Sequence, residues 1–118
     1  MAADYRIKVE LKDGAPYAEP VCVDIRSDKV IVQWYLEDEN TDIKRILGVC
    51  FERAGRRVFK EIEAESEDGR AWTAINRAKS NPRGKFHYEI KVELCDGSIV
   101  GRDPEIENNV PQVFARIR

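Results

Sequence analysis

The sequence predicts an all-β domain, an antiparallel two-sheet sandwich of about seven to nine short strands. Three observations carry this. Apolar residues recur with a period of two rather than 3.6, turn-forming clusters separate the apolar sets at intervals of about ten residues, and prolines stand at segment borders. A single domain spanning residues 1–118 is expected, because 118 residues suffice for one core and crowd two.

The elements follow in chain order. Tyr5, Ile7, Val9 and Leu11 alternate with Arg6, Lys8, Glu10 and Lys12, and Asp13-Gly14 ends the run in a turn. Val21, Val23 and Ile25 form a second set with Cys22 off its apolar face, and Val30, Val32, Trp34 and Leu36 form a third that leaves Tyr35 facing outward. The cleanest set is Phe86, Tyr88, Ile90, Val92 and Leu94 against Lys85, His87, Glu89, Lys91 and Glu93, ending in Asp96-Gly97. Each set places one face on a core and one in water. Weaker strands are expected at Ile46 to Phe51, Ala71 to Ile75, Ile99-Val100 and Val113 to Ile117. Ser27-Asp28, Asp38 to Asp42, Ala54-Gly55, Asp68-Gly69 and Ser80 to Gly84 read as turns. The stretch from Val58 to Asp68 has helix propensity but no second apolar turn, so it is expected to be irregular or weakly extended, with room for one helical turn.

Tyr5 to Gly14 and Tyr88 to Gly97 differ at two of ten positions. Alternating apolar and charged residues before Asp-Gly is a generic hairpin recipe, and convergence explains the echo better than duplication.

Val32-Gln33-Trp34-Tyr35, the spacing of Cys22 to Trp34, and Gly84-Lys85-Phe86-His87-Tyr88 resemble the immunoglobulin-like sandwich family. The resemblance implies architecture alone, a sandwich of immunoglobulin-like or cupredoxin-like topology. Tyr88 stands where the family has its second cysteine, so the inter-sheet disulfide cannot form, and Phe86 replaces the corner tyrosine. The Asp96-Gly97 turn and the later Asp103-Pro104-Glu105-Ile106-Glu107-Asn108 are similar to small uncharacterised bacterial β-sandwich proteins.

Composition narrows the chemistry. The 20 basic and 22 acidic residues nearly cancel, and no global field directs the chain to nucleic acid or an anionic membrane. No apolar run approaches the roughly 20 residues of a membrane-spanning helix. The three cysteines are isolated, with no Cys-x-x-Cys pair, and are expected as free thiols. The N-terminus lacks an apolar signal core, so a cytoplasmic location is expected, or a periplasmic one if a signal has been removed. Dinucleotide, Walker and zincin motifs are absent.

The single histidine, His87, lies on a charged strand face and cannot make a blue-copper site, which needs two. Cys95 lies about 27 Å further along an extended strand and cannot reach it there. Asp38-Glu39-Asn40-Thr41-Asp42 opens like a calcium loop, but Ile43 replaces the glycine and Val49 the bidentate glutamate. No cofactor and no metal is expected. Asp103, Glu105 and Glu107 read as a polar edge; a small hydrolase built on carboxylates is the least favoured reading.

The expected function is therefore a non-catalytic module that binds a protein or itself. Carbohydrate binding through aromatic side chains is the alternative. The candidate binding residues are Tyr35 and Trp72 with Arg70, Arg77 and Arg83. The alternation around Trp72 allows it to face inward with Ile75 outside, or the reverse. An exposed tryptophan would be a binding anchor.

Overall fold

The computed structural model describes residues 3–24, 29–77 and 83–109. Among them lie ten strands and one short helix: β1 (Tyr5–Lys12), β2 (Ala15–Ala18), β3 (Val21–Asp24), β4 (Val30–Tyr35), β5 (Ile43–Phe51), α1 (Arg53–Val58), β6 (Phe59–Ala64), β7 (Ala71–Asn76), β8 (Gly84–Leu94), β9 (Ile99–Arg102) and β10 (Glu105–Asn109). One sheet has the order β2-β1-β4-β7-β6. The other has the order β3-β10-β8-β5, with β9 also paired to β8. The expected strand at Val113 to Ile117 lies outside the described residues, as do Ile25, the Ser27-Asp28 turn and most of the Ser80 to Gly84 turn.

Three expectations are corrected. The sheets are mixed rather than antiparallel, because β1 runs parallel to β4 and β3 runs parallel to β10. Alternation fixes which side of a strand is buried but not which strand lies beside it. The strand count is ten rather than seven to nine. Pro16 and the small residues around it hid β2, although Pro16 and Ala18 are buried and β2 pairs with β1 from Val9↔Ala18 to Lys12↔Ala15. Ala54-Gly55 belongs to α1 rather than to a turn, and Phe59–Ala64 is a strand whose register shifts between Lys60 and Glu63, beside the positive φ of Glu61. That bulge absorbs the stretch that lacks an apolar period.

The faces otherwise fall where the alternation puts them. Ile7 and Val9 of β1, Val30, Val32 and Trp34 of β4, and Phe86, Tyr88, Ile90 and Val92 of β8 are buried in one core, with His87, Glu89 and Lys91 in water. Trp34, Phe51, Phe59, Phe86 and Tyr88 form an aromatic chain across the sandwich; Phe51 and Phe59 stack at 4.1 Å between ring centres, and Trp34 meets Tyr88 edge-on at 5.4 Å. One buried polar bridge lies at an end of this core, where Asn76 of β7 and Asn108 of β10 exchange amide hydrogen bonds of 2.8 and 3.3 Å.

Sealing of one sheet edge sets what remains open. The chain between β6 and β7 crosses the edge of β5: Ile46 donates its amide to the Gly69 carbonyl at 2.8 Å, and Trp72 Nε1 donates to the Ile46 carbonyl at 3.0 Å. A strand edge capped this way cannot template another chain there.

Candidate functional site

The sequence-predicted residues do not assemble into one site. Tyr35 faces outward as expected, but its ring lies under the Arg6 guanidinium, whose carbon is 4.0 Å from the ring centre. Arg6 is held in turn by Gln33, which also binds Glu65. Trp72 is opposite Trp34 in the register and therefore on the core side of the same sheet, where it is half-buried against the core. Ile75 on the other side is buried as well, between its neighbours Ile31 and Lys60. A sugar ring cannot stack on Tyr35 and Trp72 together, since they occupy opposite faces.

Arg70 is occupied by backbone. Its guanidinium donates to the Glu37 carbonyl at 2.8 Å and to the carbonyls of Ile43 and Lys44 at 3.4 Å. Arg77 and Arg83 are both exposed, at the far end of β7 from Arg70. They share that end of the sandwich because Asn76 binds Asn108, whose register partner is Gly84. The arginines thus divide between two ends of a strand, about 20 Å apart for six residues.

His87 projects into water with Nε2 3.8 Å from Glu105 Oε2, and Lys85 shares the same carboxylate at 3.8 Å. It sits beside an open recess of about 370 Å³ that Cys50, Glu52 and Asp103 also line. Cys50, not Cys95, is the thiol near it, because β5 pairs Cys50 with Glu89 one step along β8. Nothing local in the sequence shows this long-range pairing. Among the described residues no group of three or more histidine, cysteine or carboxylate side chains could hold a metal ion. In the acidic hairpin, the Asn40 side-chain oxygen accepts the amides of Asp42 and Ile43 at 3.0 Å, an Asx turn that shapes the loop. All three cysteines are free and exposed.

The sequence reading missed a different surface, the outer face of β5, β8 and β9. The register sets three rows across these strands. Arg45, Glu93 and Ile99 form one row; Gly48, Lys91 and Gly101 form the next; Cys50 and Glu89 begin a third. Leu47 is the extra residue at the register shift between Ile46 and Gly48, which pushes it outward. Leu47 (38% exposed) and Ile99 (64% exposed) are the exposed large hydrophobic residues among those described. They flank β8 on the same sheet. Between them Arg45 Nε is 2.9 Å from Glu93 Oε1, and Lys91 Nζ is 3.7 Å from Glu89 Oε1. Glycines lie on either side of Lys91; a Cβ added at Gly48 would meet nothing within 4 Å, whereas one at Gly101 would touch the Ile90 carbonyl oxygen and Lys91 Cγ, both at 3.4 Å.

No helix among the described residues is long and apolar enough to cross a membrane. Compared with family models and with the curated proteins, the chain matches none.

Proposed function

We propose that the protein is a non-catalytic protein-interaction module and that the outer face of β5, β8 and β9 is its contact surface. One observation carries the reading: Leu47 and Ile99 are placed on one sheet face, around ion pairs of both signs. Apolar anchors within a polar, charge-balanced rim are the composition of a protein contact rather than of a nucleic-acid groove. The free thiols fit a reducing compartment, and we read the protein as cytoplasmic on that ground.

We read the architecture as an immunoglobulin-like sandwich. Support comes from β4-β7-β6 in one layer, β10-β8-β5 in the other, and an early strand, β3, running parallel to the late strand β10. In place of an inter-sheet disulfide the layers are joined by the Trp34–Tyr88 hydrogen bond.

The test is affinity capture from cell lysate with wild-type protein and an Ile99→Glu variant as parallel baits. The reading expects a partner held by the first and lost by the second. Identical capture by both baits overturns this face as the contact surface.

A further inference from the structure

The register of the β5, β8 and β9 face makes it complementary to itself, and we infer that its partner is a second copy of this chain. The inference rests on the reading above and names its occupant. Consider two copies face to face, related by a two-fold axis that lies in the interface, runs across the strands and passes midway between the Glu93 row and the Lys91 row. Such an axis sets each strand over its own copy, running the opposite way, and exchanges the two rows. In an isologous contact every pair then occurs twice.

Three pairings follow from the register alone. Glu93 lies over Lys91 of the second copy, so opposite charges meet. Ile99 lies over the second copy's Gly101, so the more exposed of the two apolar side chains covers a glycine bordered by the Lys91 stem. Arg45 lies over the second copy's Gly48, above which there is open space. Leu47, bulged between the two rows, falls near the axis and meets its own counterpart. Other two-folds do worse. An axis along β8 sets Glu93 against Glu93, and one through the Lys91 row sets Lys91 against Lys91 and Glu93 against Glu89. An axis midway between the Lys91 and Glu89 rows also sets opposite charges together, but it brings Gly48 over Cys50 and takes Ile99 off Gly101. Charge and the fit of Ile99 and Arg45 over glycines together favour the first arrangement, with sheets about 10 Å apart as in an ordinary sandwich.

A three-strand face makes a small interface and a weak dimer, so sedimentation velocity is run from about 1 μM to 1 mM. The inference expects wild-type protein to move from monomer to dimer across this range. Lys91→Glu sets Glu against Glu93 twice per dimer and is expected to weaken association at least about tenfold. Lys91→Glu combined with Glu93→Lys restores opposite charges and is expected to restore the dimer. Gly48→Val fills the space under the second copy's Arg45, and its Cβ meets nothing within 4 Å in its own chain, so it is expected to abolish association with a melting curve close to that of wild-type protein. That variant decides the matter if the charge variants fold poorly. Wild-type protein that stays monomeric overturns the inference, as does a dimer indifferent to Lys91→Glu and Gly48→Val, or a charge swap that fails to rescue. The parent reading fails separately. A monomeric protein whose Ile99→Glu bait loses a lysate partner keeps the contact face and loses only the second copy, whereas a monomer with identical capture loses both.

Discussion

The indole Nε1 of Trp34 donates a 2.9 Å hydrogen bond to the hydroxyl of Tyr88, a residue 54 positions away and in the opposite sheet. Both side chains are almost wholly buried, so the bond is a polar link between the layers in an otherwise apolar aromatic cluster. Tyr88→Phe keeps the ring and strands the indole N–H without an acceptor. The expected cost is about 1–3 kcal/mol, read from urea denaturation. A loss near zero would mean that the bond contributes nothing net.

The same burial gives a pH signature. Loss of solvent around the Tyr88 hydroxyl pushes its pKa well above the ordinary 10.0, against a smaller opposing effect of the Trp34 hydrogen bond. The folded protein therefore keeps a proton that the unfolded chain gives up above pH 10. Stability from this residue is fully present below pH 10 and declines as pH rises beyond it. Denaturation midpoints followed from pH 8 to pH 11 should fall more steeply for wild-type protein than for Tyr88→Phe. Parallel curves would exclude Tyr88 as the source.

Face assignment on β8 is testable with neighbouring residues. Val92 is fully buried and Lys91 is in water. Val92→Ala should cost roughly 1–3 kcal/mol through lost burial and an incompletely closed cavity. Lys91→Ala should cost under about 0.5 kcal/mol in folding stability, whatever it does to association. Measured at concentrations where the chain is monomeric, a reversed order would contradict the sandwich described above.

These residues also show what was legible in the sequence. Period-two alternation in β1, β4 and β8 assigned their faces without any knowledge of neighbours, since the pleat alone decides them. Parallel pairing of β1 with β4 lies beyond any local pattern, because register is settled by partners far along the chain. The candidate surface was hidden for a related reason. Ile99 was visible only as part of a weak strand, and Leu47 is exposed by a bulge that no composition marks. Arg70 and Trp72 drew attention as functional types, yet their donors are taken by carbonyls of β5 and the hairpin before it.

Closure of the β5 edge depends on Gly69, which is buried at φ +71° and whose carbonyl receives the Ile46 amide. A Cβ there would come within 3.2 Å of the Ile46 carbonyl oxygen, on a backbone conformation that costs L-residues about 1–2 kcal/mol. Gly69→Ala should lower stability by at least that amount and loosen the cap, leaving β5 able to pair with other chains. Light scattering on mild warming should show earlier aggregation than wild-type protein. Unchanged stability and scattering would show that the loop tolerates the substitution and does not guard the edge.

The Asn76–Asn108 pair should behave as a unit. Each carboxamide is fully buried and answers the other, so either alone is a polar group without its partner. Asn76→Leu or Asn108→Leu should each cost about 1–3 kcal/mol by stranding the surviving amide. The double variant removes the stranded group along with its partner, and two apolar side chains can then meet across the sheets. Its destabilisation should be clearly smaller than the sum of the single losses, a coupling of about 0.5–3 kcal/mol in a double-mutant cycle. Simple additivity would mean that each amide is satisfied elsewhere, and that the sheets are not joined through this pair. Retained stability with broadened side-chain NMR signals in the double variant would instead identify the pair as a device for fixing the relative position of β7 and β10, since a buried polar match rejects every register but one.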